Sequence, residues 1–138
     1  MARISRLATV RPELADAALR VAYRALREHG IRIVWTQGLR SDEEQAALFA
    51  KGRTAPGQIV TYAATADSTP HGRGAALDFA VTLGGKPAWD AAALPLYDLV
   101  GAIAKQEGLE WGGDWPPPKT DRPHIQLPGW KALSRWPL

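Results

Sequence analysis

Two short segments, about fifty residues apart, carry two of the three histidines of this chain together with acidic side chains. The first runs from Thr69 to Asp78 and contains His71, and the second is Asp121-Arg-Pro-His124. Two histidines and one aspartate can hold a zinc ion with one coordination position open to water, and a further carboxylate can act on that water. The pattern therefore predicts a fold that brings two distant segments together, and it predicts a zinc hydrolase.

The composition narrows the class of protein. A length of 138 residues favours one compact domain over residues 1–138. The net charge of +3 and the pI near 9.5 suit an anionic partner such as nucleic acid, a membrane surface or a bacterial wall, without choosing among them. The absence of cysteine excludes a disulfide framework and a thiolate metal site.

The N-terminal residues Met1 to Leu7 contain no apolar run after their charges, so we expect no signal peptide. No stretch approaches the roughly 20 apolar residues of a membrane span, so we expect no stable membrane insertion. If the protein acts outside the cytoplasm, another component must release it.

The first half of the chain carries clear helix signals. Residues 12–29 predict an amphipathic helix that stops at Gly30. Residues 31–36 are apolar and β-branched and predict a strand. Ser41 and Glu44 form a capping-box pattern that opens a second helix, which runs to about Lys51. The apolar stripe predicted for the first helix consists of Leu14, Ala17, Leu19, Val21, Ala22 and Leu26.

The second half combines strands with one helix. Residues 52–74 predict a long loop, and loops of that length in a small domain are usually functional or mobile. We expect a strand at about 75–82, a helix at about 91–107, an aromatic and proline-rich loop at 111–119 and a last strand at 123–127. With no repeating βαβ rhythm, this order predicts an α+β fold, a small antiparallel sheet flanked by helices.

The spacing of His71 and Asp78 requires a turn. Seven residues span roughly 23 Å in a strand and about 10 Å along a helix axis. Neither distance lets both side chains bind one ion, because zinc bonds are only about 2.0–2.2 Å long. The chain must fold back between them, and Gly72 and Gly74 tolerate the backbone angles of such a turn.

Asp78 is expected on a strand whose two faces differ. Ala76 and Ala80 share its face and leave room for a metal, because side chains alternate along a strand. The other face is predicted to build the core with Leu77, Phe79 and Val81.

The second segment has a similar division of faces. His124 and Gln126 share one face of the predicted last strand. Pro123 restricts the residue before it to extended geometry, so Asp121 can project beside the metal without joining the strand. Asp121 is therefore a candidate general base.

These motifs carry a resemblance. The patterns H-x-x-G-x-A-x-D, from His71 to Asp78, and D-x-P-H, from Asp121 to His124, resemble zinc peptidases that cut bacterial peptidoglycan. That group includes D-Ala-D-Ala carboxypeptidases, dipeptidases and the L-alanyl-D-glutamate endopeptidases of phage endolysins, and its fold resembles the hedgehog signalling domain.

Further runs resemble the endolysin branch, namely Gln37-Gly-Leu-Arg40-Ser41 and Trp111-Gly-Gly-Asp114-Trp115. Aspartate at position 121 also favours that branch, since the dipeptidase branch typically has glutamate there. Thr69 departs from the usual serine of the group but keeps the hydroxyl.

The resemblance implies roles for individual side chains. It implies that His71, Asp78 and His124 bind Zn²⁺, that Asp121 is the general base and later the acid, and that Arg40 polarises the scissile carbonyl. Gln37 and Thr69 are assigned to substrate binding or to hydrogen bonding around the metal, with a plain loop role left open for both.

The sequence leaves several functions open. The leading interpretation is an L-alanyl-D-glutamate endopeptidase with peptidoglycan as its partner, a monomer without a separate wall-binding domain. A D-Ala-D-Ala carboxypeptidase would need a cation at one end of its groove, for which Arg53 or Arg73 could serve. A non-catalytic zinc-stabilised binding module is a third possibility. A nucleic-acid binder is disfavoured because the chain has no known binding motif.

The predicted setting is that of a phage endolysin. Such a protein is made in the host cytoplasm and reaches the cell wall through a membrane pore. A single catalytic domain fits a host with a Gram-negative envelope.

Overall fold

The site-bearing element of the fold is an antiparallel sheet. The computed structural model describes residues 2–61, 63, 65–134 and 136. The helices are α1 (Ala2–Thr9), α2 (Pro12–His29), α3 (Asp42–Ala50) and α4 (Leu94–Gln106), and the strands are β1 (Arg32–Gln37), β2 (Ala76–Leu83), β3 (Lys86–Pro87), β4 (Glu110–Trp111) and β5 (His124–Gln126). The strand order in the sheet is β1-β2-β5-β4, and β3 pairs with β2. The predicted α+β fold with a small antiparallel sheet is confirmed.

Helix α2 forms where its sequence signals place it. Pro12 occupies the first helical position, and Gly30 ends the helix at φ 67° with its N–H donating to the Leu26 carbonyl at 2.9 Å. The predicted apolar stripe is wrong at Leu19 and Leu26, which are 56% and 42% exposed. The face of α2 that packs inward is rotated toward its alanines, and its buried residues are Leu14, Ala17, Ala18, Val21 and Ala25.

The capping box at the start of α3 is confirmed. The Ser41 hydroxyl accepts from the Glu44 N–H at 3.1 Å, and the Glu44 carboxylate accepts from the Ser41 N–H at 2.9 Å. These two bonds satisfy backbone donors that a helix start leaves unpaired. The helix therefore begins at Asp42 after its cap Ser41, and Arg40 is left on the loop that joins the helix to β1.

The core lies between the sheet and helices α2 and α4. Phe79 on β2 stacks on Tyr97 of α4 with ring centroids 5.5 Å apart, and Trp35 of β1 meets Phe79 edge-on. The Tyr97 hydroxyl donates to the Ala88 carbonyl at 2.8 Å and accepts from the Val81 N–H at 3.2 Å. Leu77, Phe79 and Val81 are fully buried as predicted, so the opposite face of β2 is free to carry the site.

Some boundaries differ from the sequence prediction. Each of the three main strands is displaced or trimmed by about one residue, and Trp111 lies in β4 rather than in a loop. The long loop contains two 3₁₀ turns, Ala66–Ser68 and His71–Arg73. Helix α1 was not predicted, and it packs on β1 and α2. Within the described part of the chain, no helix has the length and apolar character needed to cross a bilayer.

Candidate metal centre

Three side chains from the two predicted segments converge on one point. Asp78 Oδ1 lies 3.2 Å from His71 Nε2 and 3.1 Å from His124 Nδ1. One ligand atom from each of the three residues lies within 4.8 Å of the other two. Atoms bound to one zinc ion at about 2.0–2.1 Å in tetrahedral geometry lie roughly 3.3 Å apart. The three residues can therefore hold a single metal ion.

The remaining ring nitrogens fix the tautomers of both histidines. His71 Nδ1 lies 3.0 Å from the Gly38 carbonyl, which can only accept, so this nitrogen carries the hydrogen. Glu110 likewise accepts from Gln126 Nε2 at 2.8 Å, which turns Gln126 Oε1 toward His124. His124 Nε2 therefore donates to that oxygen at 2.7 Å.

The two inward-facing nitrogens consequently present lone pairs to a carboxylate oxygen. Three acceptors in such proximity repel one another unless a proton or a cation lies between them. Outer hydrogen bonds of this kind orient histidines that bind metals. The donor set thus fits a divalent cation such as zinc.

The electrostatics of the metal-free site agree with this picture. Burial alone would raise the pKa of Asp78. When a proton takes the place of the cation, however, the imidazoles of His124 and His71 hydrogen-bond to the carboxylate and attract it, and they hold the pKa of Asp78 well below its usual range. Burial would lower the pKa of His124, but the hydrogen bond and charge of Asp78 outweigh it and raise the pKa. Both directions mean that the site favours positive charge beside Asp78.

The register of the sheet aligns the site across three strands. Asp78 at the centre of the sheet pairs with His124 of β5 on one side and with Gln37 of β1 on the other. A register shift between Trp35 and Gln37 brings Gln37 opposite Asp78. Such irregularities re-aim side chains near sites.

His71 reaches the site through the predicted turn. The turn is a 3₁₀ helix, His71–Arg73, closed by Gly74 at φ 64°. A Cβ on Gly74 would lie 2.1 Å from the Trp136 ring, and one on Gly72 would lie 1.9 Å from the Ala66 carbonyl oxygen. The predicted turn is therefore present, and the close contacts at both positions favour glycine.

Thr69 braces this turn. Its hydroxyl donates to the Ala66 carbonyl at 2.9 Å and accepts from the Gly72 N–H at 2.9 Å. The side chain is buried and the residue also borders the groove of the site. Its contacts hold the loop that carries His71.

Asp121 stands beside the centre. Its Oδ2 lies 3.9 Å from His124 Nδ1, and its side chain is 46% exposed. Burial of the carboxyl group, followed by the nearby charge of Asp78, raises the pKa of Asp121. The Asp121 backbone is held by Gly112, whose carbonyl accepts from the Asp121 N–H at 2.8 Å. A carboxylate in this environment is suited to take up and return a proton.

Arg40 borders the same groove on a polar cradle. Its Nη1 donates to Gln45 Oε1 at 2.8 Å and its Nη2 donates to Gln37 Oε1 at 3.0 Å. The Arg40 backbone N–H donates to the His71 carbonyl at 3.1 Å. Burial lowers the pKa of Arg40, whose charge nevertheless persists because guanidinium groups stay protonated in proteins.

A groove of about 720 Å³ runs past these side chains. Trp115 forms part of its wall, with its ring 5.0 Å from that of His124. All seven sequence-predicted site residues border it, namely Gln37, Arg40, Thr69, His71, Asp78, Asp121 and His124. Their chemical roles stay predictions.

Two cations considered for substrate binding have other contacts. Arg73 donates to the Lys131 and Leu133 carbonyls, and Arg53 donates to the Phe49 and Thr61 carbonyls. Neither arginine is among the described residues that border the groove.

Three residues of the site were missed from the sequence, Gln45, Gln126 and Glu110. Gln45 and Gln126 are buried and hydrogen-bonded to Arg40 and His124. The only sequence signals for them are that Gln45 follows the capping box and that Gln126 lies two residues after His124.

Comparison with known sequences supports the motif-based resemblance. The D-alanyl-D-alanine carboxypeptidase family matches residues 63–127. The chain is 41% identical over 114 residues to the peptidoglycan L-alanyl-D-glutamate endopeptidase CwlK of Bacillus subtilis (strain 168), covering 75% of this chain and 65% of that protein. It is 32% identical over 118 residues to the L-alanyl-D-glutamate peptidase of Listeria phage A118, covering 83% of this chain and 38% of that protein. The chain thus spans less than two thirds of the length of either relative.

Solved structures share the fold. The L-Ala D-Glu endopeptidase ChiX of Serratia marcescens superposes with a TM-score of 0.64 at 24% identity, covering 91% of this chain and 85% of that chain. The LD-carboxypeptidase LdcB superposes with a TM-score of 0.69 at 21% identity, covering 89% and 61%. The resemblance to this group of proteins, drawn from the motifs, is confirmed.

Proposed function

We propose, from its kinship with the peptidoglycan peptidases, that this chain is a zinc metallopeptidase that hydrolyses the L-alanyl-D-glutamate bond of the peptidoglycan stem peptide. The observation that carries the proposal is the convergence of His71, Asp78 and His124 in a groove that also holds Asp121 and Arg40. A metal centre with an ionisable carboxylate and a fixed cation beside it has the parts needed for amide hydrolysis.

His71 Nε2, Asp78 Oδ1 and His124 Nδ1 would hold the metal, because these are the atoms that face one another. Zinc, when bound there, supplies Lewis acidity and lowers the pKa of a water ligand to about 7. The chain's own contribution is to orient these three donors through the Gly38 carbonyl and Gln126.

Asp121 takes a proton from the attacking water while the water oxygen bonds to the amide carbon. In the metal-free site, burial of the carboxyl group and then the charge of Asp78 raise the pKa of Asp121, which is the direction that a general base needs. When the C–N bond breaks, the same carboxyl group gives the proton to the leaving amine.

Arg40 donates to the oxyanion that develops on the scissile carbonyl. Both of its bonded acceptors, Gln37 and Gln45, are neutral amides, so its charge is not cancelled by a direct ion pair with them. A donor already in place costs no reorganisation during the reaction.

The Bacillus and phage relatives described above favour cleavage of the L-alanyl-D-glutamate bond, since L-alanyl-D-glutamate appears in both names and the Bacillus protein is named an endopeptidase. The family description instead names a D-alanyl-D-alanine carboxypeptidase, and this is the second candidate. The contacts of Arg53 and Arg73 with backbone carbonyls count against their use as the terminal-carboxylate cation that this activity needs.

A non-catalytic zinc-stabilised module is the weakest candidate. It would have no use for the carboxyl group of Asp121 and the half-buried guanidinium of Arg40 in the same groove as the metal donors.

The proposed setting is phage lysis of a bacterial host. The phage relative supports it. The protein would act as a monomer on the wall after release from the host cytoplasm through a pore. Lysis of chloroform-treated Gram-negative cells, with intact Gram-positive walls spared, is the expected preference.

Digestion of purified peptidoglycan by the zinc-loaded protein tests the activity. Mass spectrometry should find new L-alanine carboxyl ends and new D-glutamate amino ends, and Asp121→Ala should abolish them. Release of free D-alanine would favour the carboxypeptidase, and an unchanged wall would refute both.

A further inference from the structure

We propose that Gln45 is a positioning residue that orients Arg40 and ties it to Thr61 of the groove wall and to the neighbouring Ala63. The inference rests on the proposed catalytic role of Arg40. Its observations are independent of the metal donors, because none of the contacts of Gln45 involves them.

Gln45 differs from the rest of its helix in its burial. It is fully buried, and it is the sole buried residue of α3, all of whose residues the structure describes. A buried amide is costly unless its hydrogen bonds are made. Both ends of the Gln45 side chain are bonded, which identifies the amide as the reason for its burial.

One end of the amide holds the guanidinium. Gln45 Oε1 and Gln37 Oε1 receive the two terminal nitrogens of Arg40 at 2.8 and 3.0 Å. Arg40 Nε is buried and has no hydrogen-bond partner among the described residues. The orientation of the planar group therefore depends on these two amide oxygens. Because both are neutral, they fix the direction of the positive charge without neutralising it.

The other end of the amide holds the groove wall. Gln45 Nε2 donates to the Ala63 carbonyl at 2.6 Å and to Thr61 Oγ1 at 3.3 Å. Thr61 Oγ1 also accepts from the Ala63 N–H at 3.2 Å. Thr61 borders the groove together with Val60.

A peptide that lies against this wall thus contacts Thr61, which is hydrogen-bonded to Gln45, and Gln45 in turn holds Arg40. The arrangement couples placement of the substrate to placement of the oxyanion donor. Loss of Gln45 should therefore affect kcat more than KM or metal binding.

A double-mutant cycle tests the coupling. The substrate is a soluble stem peptide with an L-alanyl-D-glutamate bond, and the variants are Gln45→Leu, Arg40→Ala and the pair. We expect Gln45→Leu to lower kcat by about 10–100-fold, in the range of residues that orient catalytic groups. It should have little further effect in the Arg40→Ala background, because it acts through Arg40. Zinc affinity should match that of the wild type and of the exposed control Gln58→Leu.

Gln45→Glu provides a second variant that keeps the size and the acceptor. Its carboxylate would neutralise Arg40, so kcat should fall with zinc affinity kept. If a Gln45 substitution lowers kcat in the Arg40→Ala background by as much as it does in the wild type, the inference is overturned. A wild-type kcat in either Gln45 variant would also overturn it. Should Gln45→Leu fail to fold, the Gln45→Glu cycle with Arg40→Ala decides alone. A wild-type protein inert on the peptide would instead refute the proposed function.

Discussion

Gln126 Oε1 lies 2.7 Å from His124 Nε2, and Gln126 Nε2 lies 2.8 Å from Glu110 Oε1. The three side chains form a chain of hydrogen bonds that runs from a surface carboxylate to a buried imidazole. This series of hydrogen bonds fixes the tautomer of His124 and the nitrogen that faces Asp78. Gln126 therefore belongs to the site, although it is not one of the three converging donors.

Replacing Gln126 by leucine should weaken zinc binding. His124 would lose the acceptor that sets its tautomer, and such losses cost about 10–100-fold in metal affinity. Competition with a chromophoric chelator measures the change. Gln58→Leu removes an exposed glutamine as the control, and equal affinity in both variants would contradict the role of Gln126.

Asp121→Asn should separate metal binding from catalysis. The amide cannot take a proton from water, so turnover should fall by about 10²–10⁴-fold, the range for general bases. Zinc content should stay that of the wild type, because Asp121 is not one of the converging donors. Asp114→Asn removes a carboxylate that is paired with Lys105 at the surface, and it should leave turnover unchanged. Undiminished turnover in Asp121→Asn would refute the assignment of the base.

Zinc binding should release protons and strengthen as pH rises. In the metal-free protein His124 has a raised pKa, so its protonation stabilises the fold below its unfolded pKa and this contribution is lost as pH rises through the folded pKa. Zinc takes the place of that proton, which must leave first. Calorimetry in buffers of different ionisation enthalpy counts the protons. Affinity that does not vary with pH would contradict this exchange.

Gly74→Ala should destabilise the fold more than Gly84→Ala. The two glycines have φ of 64° and 60°, so the backbone cost of about 1–2 kcal/mol is shared. At Gly74 the added methyl also meets the Trp136 ring, whereas nothing lies within 4 Å at Gly84. The clash should add about 1–3 kcal/mol to the loss of unfolding free energy. Urea denaturation measures both, and equal losses would mean that the ring moves aside freely.

Local signals explain why parts of the fold were predictable. Helix α2 begins at Pro12 and ends before Gly30, as predicted. The capping box of α3 is recognisable from the four residues Ser41 to Glu44 alone. The alternation along β2 likewise separated the core face from the face of Asp78. Each of these features depends on neighbours in the chain.

The missed features depend on distant contacts. Gln45 lies on a helix where a polar side chain is expected at the surface. Gln126 was predicted on the face of His124, but the sequence did not give it a hydrogen-bonding role. In both cases only the folded chain supplies the partners that bury the side chain. Leu19 and Leu26 fit a helical stripe, but the packing direction of α2 against the sheet and α4 leaves them exposed. The register shift that brings Gln37 opposite Asp78 has no local signal.

Anomalous diffraction from crystals grown with zinc tests the central claim most directly. We predict one strong peak bonded at about 2.0–2.2 Å to His71 Nε2, Asp78 Oδ1 and His124 Nδ1, with Asp121 alongside but unbonded. A peak at another group of side chains, or none between these three atoms, would contradict the account.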